Sequence, residues 1–126
     1  MIASLDHLVL TTRDLDKCVA FYSEILEMKL ERFGDNRLAL HFGHQKINLH
    51  EFGREFEPKA YTPMPGSLDL CFLINRSLKE VMAKLEACGV PVIEGPVRRT
   101  GASSAILSVY VRDPDGNLIE LAQAEG

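Results

Sequence analysis

The sequence predicts an α+β fold made of two copies of one strand–helix–three-strand unit. Three observations carry this. Short segments of strand alternation dominate the chain, each half contains one helical pattern, and the two halves align strand for strand.

In the first half, residues 5–11, LDHLVLT, read as a strand. Asp14 is placed to cap a helix, along which Leu15, Val19, Tyr22 and Leu26 recur at helical spacing. Strand-like stretches follow at 37–42 (RLALHF) and 46–52 (KINLHEF), with His44-Gln45 as the turn between them. Residues 53–67 carry three prolines and no periodicity, so they read as a connection. In the second half LDLCFLI (68–74) is a strand. Ser77-Leu78-Lys79-Glu80 has the form of a capping box, and Leu78, Met82 and Leu85 give the helix an apolar face. Gly89, then Val90-Pro91, stops that helix. Further strands are expected at 90–94, 104–111 and 117–123. The expected organisation is a single domain of two modules, 1–55 and 66–126, joined by loop 53–67.

The composition narrows the function classes. The 126 residues are 46% hydrophobic and 25% charged, with a net charge of −4, ordinary for a soluble domain. No basic run exceeds Arg98-Arg99, which argues against a nucleic-acid surface, and no apolar run approaches a membrane span. Cys18, Cys71 and Cys88 form no C-x-x-C pair and read as small core residues with free thiols, which suits a cytoplasmic protein.

The stretch Arg112-Asp113-Pro114-Asp115-Gly116-Asn117-Leu118-Ile119-Glu120-Leu121 places a carboxylate inside an apolar run directly after a tight turn. A buried carboxylate is costly unless something pairs with it. Shifting the chain by 72 sets KINLHEF over LIELAQA, so that Asn48 meets Glu120. A shift of 62 sets His7 over Asp69; a shift of 63 matches more letters there, Asp6 with Asp69 among them, a difference of one residue in the strand-to-helix loop. Strand alternation then turns His7, Asn48, Asp69 and Glu120 to the hollow side of the sheet, with His50 on Asn48's face, and the apolar side to the helices. His50 can ligate, bind substrate or act as an acid–base group; as a strand histidine it can equally be structural. Tyr110 is read either as a hydrogen-bonding group of the hollow or as a packing residue. His41 and His44 are read as surface residues, and Arg98-Arg99 either clamps an anion or is solvated.

On DHLVLTTRDLDKCVAFYSEIL at the start and YVRDPDGNLIEL at the end, the chain resembles the vicinal oxygen chelate superfamily, which includes glyoxalase I, extradiol dioxygenases, fosfomycin-resistance enzymes and bleomycin-resistance proteins. HQKINLHEF and PGSLDLCFLI look most like a subgroup of small glyoxalase-domain-containing proteins. The resemblance implies two βαβββ modules forming a cupped mixed sheet, with helices on the outer face and a divalent metal (Mn, Fe, Ni, Zn or Mg) in the cup. It implies His7, Asp69 and Glu120 as metal ligands, with Glu120 also the catalytic base, and Asn48, His50 and Tyr110 as substrate-binding residues. Asp69 stands where the family usually has His; one nitrogen and two carboxylates still make a workable donor set for Mn²⁺, Fe²⁺ or Mg²⁺. Alternatively Asp69 caps a loop or pairs with an arginine and no metal binds. The implied function is lyase or isomerase chemistry of the glyoxalase type on a small oxygen-rich substrate. The alternatives are a metal-free binding protein of the bleomycin-resistance kind and an Fe²⁺ dioxygenase. The dioxygenase reading is weakened because TGASSAILS, before Tyr110, lacks the family's His. The resemblance also implies a homodimer with the site shared between subunits.

Overall fold

The computed structural model of the chain describes residues 1–125. It divides into two compact units, Met1–Ser67 and the chain from Leu68 onward. Each unit repeats the order strand, helix, three strands, and each holds one four-stranded mixed sheet. The α+β expectation of two βαβββ modules therefore holds.

In the first unit, β1 (His7–Thr12) leads into α1 (Leu15–Ala20), whose N-cap is Asp14, accepting from Lys17 N–H at 3.1 Å. Wider π-type turns continue this helix over Phe21–Ile25. Three strands follow: β2 (Lys29–Phe33), β3 (Arg37–Phe42) and β4 (Gln45–Glu51). The sheet order is β1-β4-β3-β2, with β1 parallel to β4 and the other pairs antiparallel. Leu10, Leu40, Ile47 and Leu49 line one buried face, and Cys18, Phe21 and Tyr22 of the helical segment are buried as well. The other face carries His7, Val9 and Thr11 of β1 beside Lys46, Asn48 and His50 of β4.

The second unit comprises β5 (Asp69–Leu73), α2 (Leu78–Ala87), β6 (Glu94–Thr100), β7 (Ala105–Arg112) and β8 (Leu118–Glu125), in the sheet order β5-β8-β7-β6. Ser77 caps the helix as expected: its Oγ accepts from Glu80 N–H at 3.2 Å. At the other end Gly89, at φ +70, takes the left-handed conformation that closes the helix. Leu78 N–H donates to Gln123 Oε1 at 2.8 Å, which puts the helix start on the side of β8 that bears Ile119, Leu121 and Gln123. Glu120 consequently faces away from the helix.

Three expectations differ from the structure. Residues 90–94 are mostly not strand; β6 starts at Glu94. Strand β2 was not located by pattern, because all its residues but Phe33 are exposed and an edge strand without a buried face shows no apolar alternation. Cys71 and Cys88 are exposed rather than core, and only Cys18 is buried. In strand alternation Cys71 falls on the polar face of β5, and Cys88 sits at the C-cap of α2.

Candidate functional site

The turn before β8 sets the direction of Glu120. Asp113 Oδ1 accepts from the N–H groups of Asp115 and Asn117, both at 2.9 Å, and Asp113 Oδ2 accepts from Asn117 Nδ2 at 2.7 Å. Gly116, at φ +89, supplies the left-handed residue the turn requires. Asn117 Oδ1 accepts from Leu68 N–H at 2.8 Å, and Leu118 N–H donates to Leu68 O at 3.0 Å. These bonds fix the start of β8 against β5, so the register leaves no freedom in which face receives Glu120.

Glu120 lies opposite Cys71 of β5 and opposite Tyr110 of β7, and all three share one face. Ser108 Oγ donates to Glu120 Oε2 at 2.6 Å from the diagonal position on β7. Although Cys71 as a residue is exposed, partial burial of its sulfur, then the negative charge of Glu120, push the thiol up to about 11. Asp69 is on the same face, two residues before Cys71. Arg99 Nε donates to Tyr110 Oη at 3.0 Å, and Arg99 Nη2 donates to Glu94 Oε2 at 2.7 Å. Gly95, at φ +107, lets β6 press on β7 here: a Cβ would lie 2.4 Å from Ser108 O.

In the first unit, β4 sets Asn48 opposite Val9 and His50 opposite Thr11. His50 is 3% exposed and Asn48 is buried. Neither ring nitrogen of His50 has a hydrogen-bond partner, and Asn48 Oδ1 has none. Burial first, then the positive charge of Arg37, hold the His50 imidazole below its ordinary range. His7 is exposed, and its Nδ1 sits 2.8 Å from Asp6 Oδ2, which leaves Nε2 as the outward nitrogen. His41 pairs with Glu31 at 3.5 Å, and His44 is exposed in the β3–β4 turn.

The structure thus groups Asp69, Glu120 and Tyr110 on one face of the second unit, and His7, Asn48 and His50 on one face of the first. Among the described residues, no three His, Cys, Asp or Glu side chains gather as a metal-binding cluster. The chemistry of the proposed donors nevertheless suits a divalent ion. His7 has the carboxylate-held imidazole common behind metal-ligating histidines, and Glu120 keeps Oε1 clear of the Ser108 bond. Sequence reasoning passed over Ser108 and underweighted Arg99. Alternation from Tyr110 could have found Ser108, two residues back on the same face.

The comparisons agree with this architecture. The family profile described as Glyoxalase/Bleomycin resistance protein/Dioxygenase superfamily matches residues 4–121. The chain is 57% identical over 121 residues to the glyoxalase domain-containing protein RDO1 of Mycosarcoma maydis, covering 96% of this chain and 68% of that protein. It is 50% identical over 123 residues to virulence protein STM3117 of Salmonella typhimurium, covering 98% and 85%. The structure of integron cassette protein VCH_CASS1, from the mobile metagenome of V. cholerae, superposes with a TM-score of 0.97 at 54% identity, covering 99% of this chain and 98% of that one. The chain belongs to the glyoxalase/bleomycin resistance protein/dioxygenase superfamily.

Proposed function

We propose that the chain is a divalent-metal-dependent enzyme of the glyoxalase type, performing lyase or isomerase chemistry on a small oxygen-rich substrate. The observation that carries this is the state of Glu120. It is a half-buried carboxylate that makes no ion pair among the described residues, with one oxygen steadied by Ser108. A carboxylate so placed, with the Arg99 charge acting on it without a direct ion pair, suits a metal donor or a base. His7, Asp69 and Glu120 are the proposed donors; in the homodimer proposed here, His7 comes from the second copy. When bound, the cation supplies Lewis acidity at a substrate carbonyl or enediolate oxygen.

The chain's own groups then divide the work. Glu120 takes a proton from the carbon next to the substrate carbonyl, while the Ser108 hydroxyl keeps the carboxylate aimed. Tyr110 Oη accepts from Arg99, so its own proton is available to a substrate oxygen.

Metal analysis tests the reading. Protein reconstituted with Mn²⁺, Fe²⁺, Ni²⁺ or Zn²⁺ and then desalted is expected to retain metal, and Glu120→Gln to lose it. Failure of every ion to remain, together with an unaltered Glu120→Gln protein, would overturn the enzyme reading. What would then stand is metal-free binding of a small molecule, favoured by the unpartnered polar atoms of Asn48 and His50.

A further inference from the structure

The first unit holds a set of side chains that the proton transfer above does not use. Both ring nitrogens of the buried His50 lack partners, as does Asn48 Oδ1 on the same face. Buried polar groups in folded proteins are nearly always hydrogen-bonded, so each such atom marks a missing partner. Charge lies beside them. Continuing the Leu38–Leu49 register by one step sets Arg37 opposite His50. The Arg37 guanidinium lies over the Phe56 ring, Cζ 4.4 Å from its centroid, and the His50 ring meets the same Phe56 edge-on at 5.5 Å. Lys46, two residues before Asn48, stacks its ammonium 4.0 Å from the Phe33 ring.

Neither Arg37 nor Lys46 makes an ion pair among the described residues. The nearby acids are occupied: Glu55 Oε2 accepts from Gly53 N–H, and Glu57 pairs with Lys59. Glu55 and Glu57 act on His50 through their charge, yet Arg37 and Lys46 keep no ion-pair partner among the described residues, and His50 and Asn48 lack a group able both to donate and to accept. A hydroxyl meets the second need whichever way the Asn48 amide is turned and whichever His50 nitrogen carries the proton. A carboxylate meets the first in the planar geometry a guanidinium prefers. Asn48 and His50 stand two residues apart on one strand, about 6.6 Å, a separation that one hydroxyl between their converging side chains bridges with two hydrogen bonds.

We propose that Asn48, His50 and Arg37 bind a small hydroxycarboxylate, its hydroxyl between the amide and the imidazole and its carboxylate on Arg37, with Lys46 adding charge. This extends the function proposed above by naming a ligand class, and rests on that function only in taking the ligand for its substrate.

Calorimetry on the metal-stripped full chain tests it, with malate as probe. Succinate lacks the hydroxyl, butane-1,2,4-triol lacks the charge, and phosphate is a bare anion. Malate is expected to bind at least about tenfold tighter than each of the three, and Arg37→Gln to remove that preference over the triol. The chain has four histidines, so ring-nitrogen spectra of ¹⁵N-labelled wild-type protein resolve His50 without any variant. Malate is expected to shift those nitrogens. An unmoved His50 signal, no detectable binding of malate, or phosphate, succinate or the triol binding as tightly as malate would overturn the proposal. Because metal is absent throughout, this outcome is independent of the metal retention of Glu120→Gln.

Discussion

A buried imidazole without a partner makes a fold sensitive to acid. In the unfolded chain His50 titrates near the ordinary histidine value of 6.5, whereas burial and Arg37 hold it lower in the folded protein. Below about pH 6.5 the unfolded state therefore takes up a proton that folded His50 refuses. The stability linked to this residue is fully present above that pH and is lost as the pH falls toward the folded value. Urea unfolding of wild type is expected to weaken from pH 7 to 5 more steeply than that of His50→Phe, by at most about 1.4 kcal/mol per pH unit for one proton. Parallel curves for the two proteins would remove this account. The same residue shows how far alternation reads a side chain. The face of His50 was legible because β4 is an interior strand, where a register slip would bury the wrong side chains. Its contact with Phe56 was not, since loop 53–67 has no period from which to place a ring.

At the scale of elements, the most informative unit is the Asp113–Asn117 turn with the two strands it joins. Asn117 is 1% exposed, and its amide ties Asp113 on one side to Leu68 N–H on the other. Asn117→Ala would leave both unmatched by that side chain, at an expected cost of about 2–4 kcal/mol. Equilibrium unfolding measures the loss, and amide exchange at Leu68 should quicken with it; a loss below about 1 kcal/mol would show that the turn does not anchor β8. The strand after the turn, the helix cap at Ser77 and the stop at Gly89 were readable because local chemistry dictates them. The exposed edge strands β2 and β6 were readable poorly or not at all. Solvent covers most of their side chains, so no hydrophobic face imposes a period, and the prolines at 91 and 96 blur the entry to β6. The Ser108–Glu120 bond belongs to the same class: it depends on a diagonal between β7 and β8 that appears only once their register is known.

At the scale of the whole molecule, the question is what covers the apolar side chains the chain leaves outside. Val9, on β1, is 41% exposed, and Leu73, on β5, is 67% exposed. Both strands are edges of their sheets, where unpaired backbone groups already invite another chain. Ile2 and Leu5, just ahead of β1, are exposed as well. Each unit thus leaves apolar side chains exposed at or beside an unpaired strand edge, where another chain can cover them. The homodimer proposed here would cover it and would bring donors from two copies to one metal. Light scattering at micromolar concentration is then expected to give twice the 14.1 kDa chain mass. Ile2→Lys with Leu5→Lys should shift the mass toward the monomer. Two further readouts separate the roles of the units in that variant. Metal retention should fall with the dimer, because it draws on both copies. The malate-induced shift at His50 should survive, because every group proposed to bind malate lies in the first unit of one chain. A monomeric mass for the wild type would sink the dimer, and metal retained by a proven monomer would sink the shared donor set.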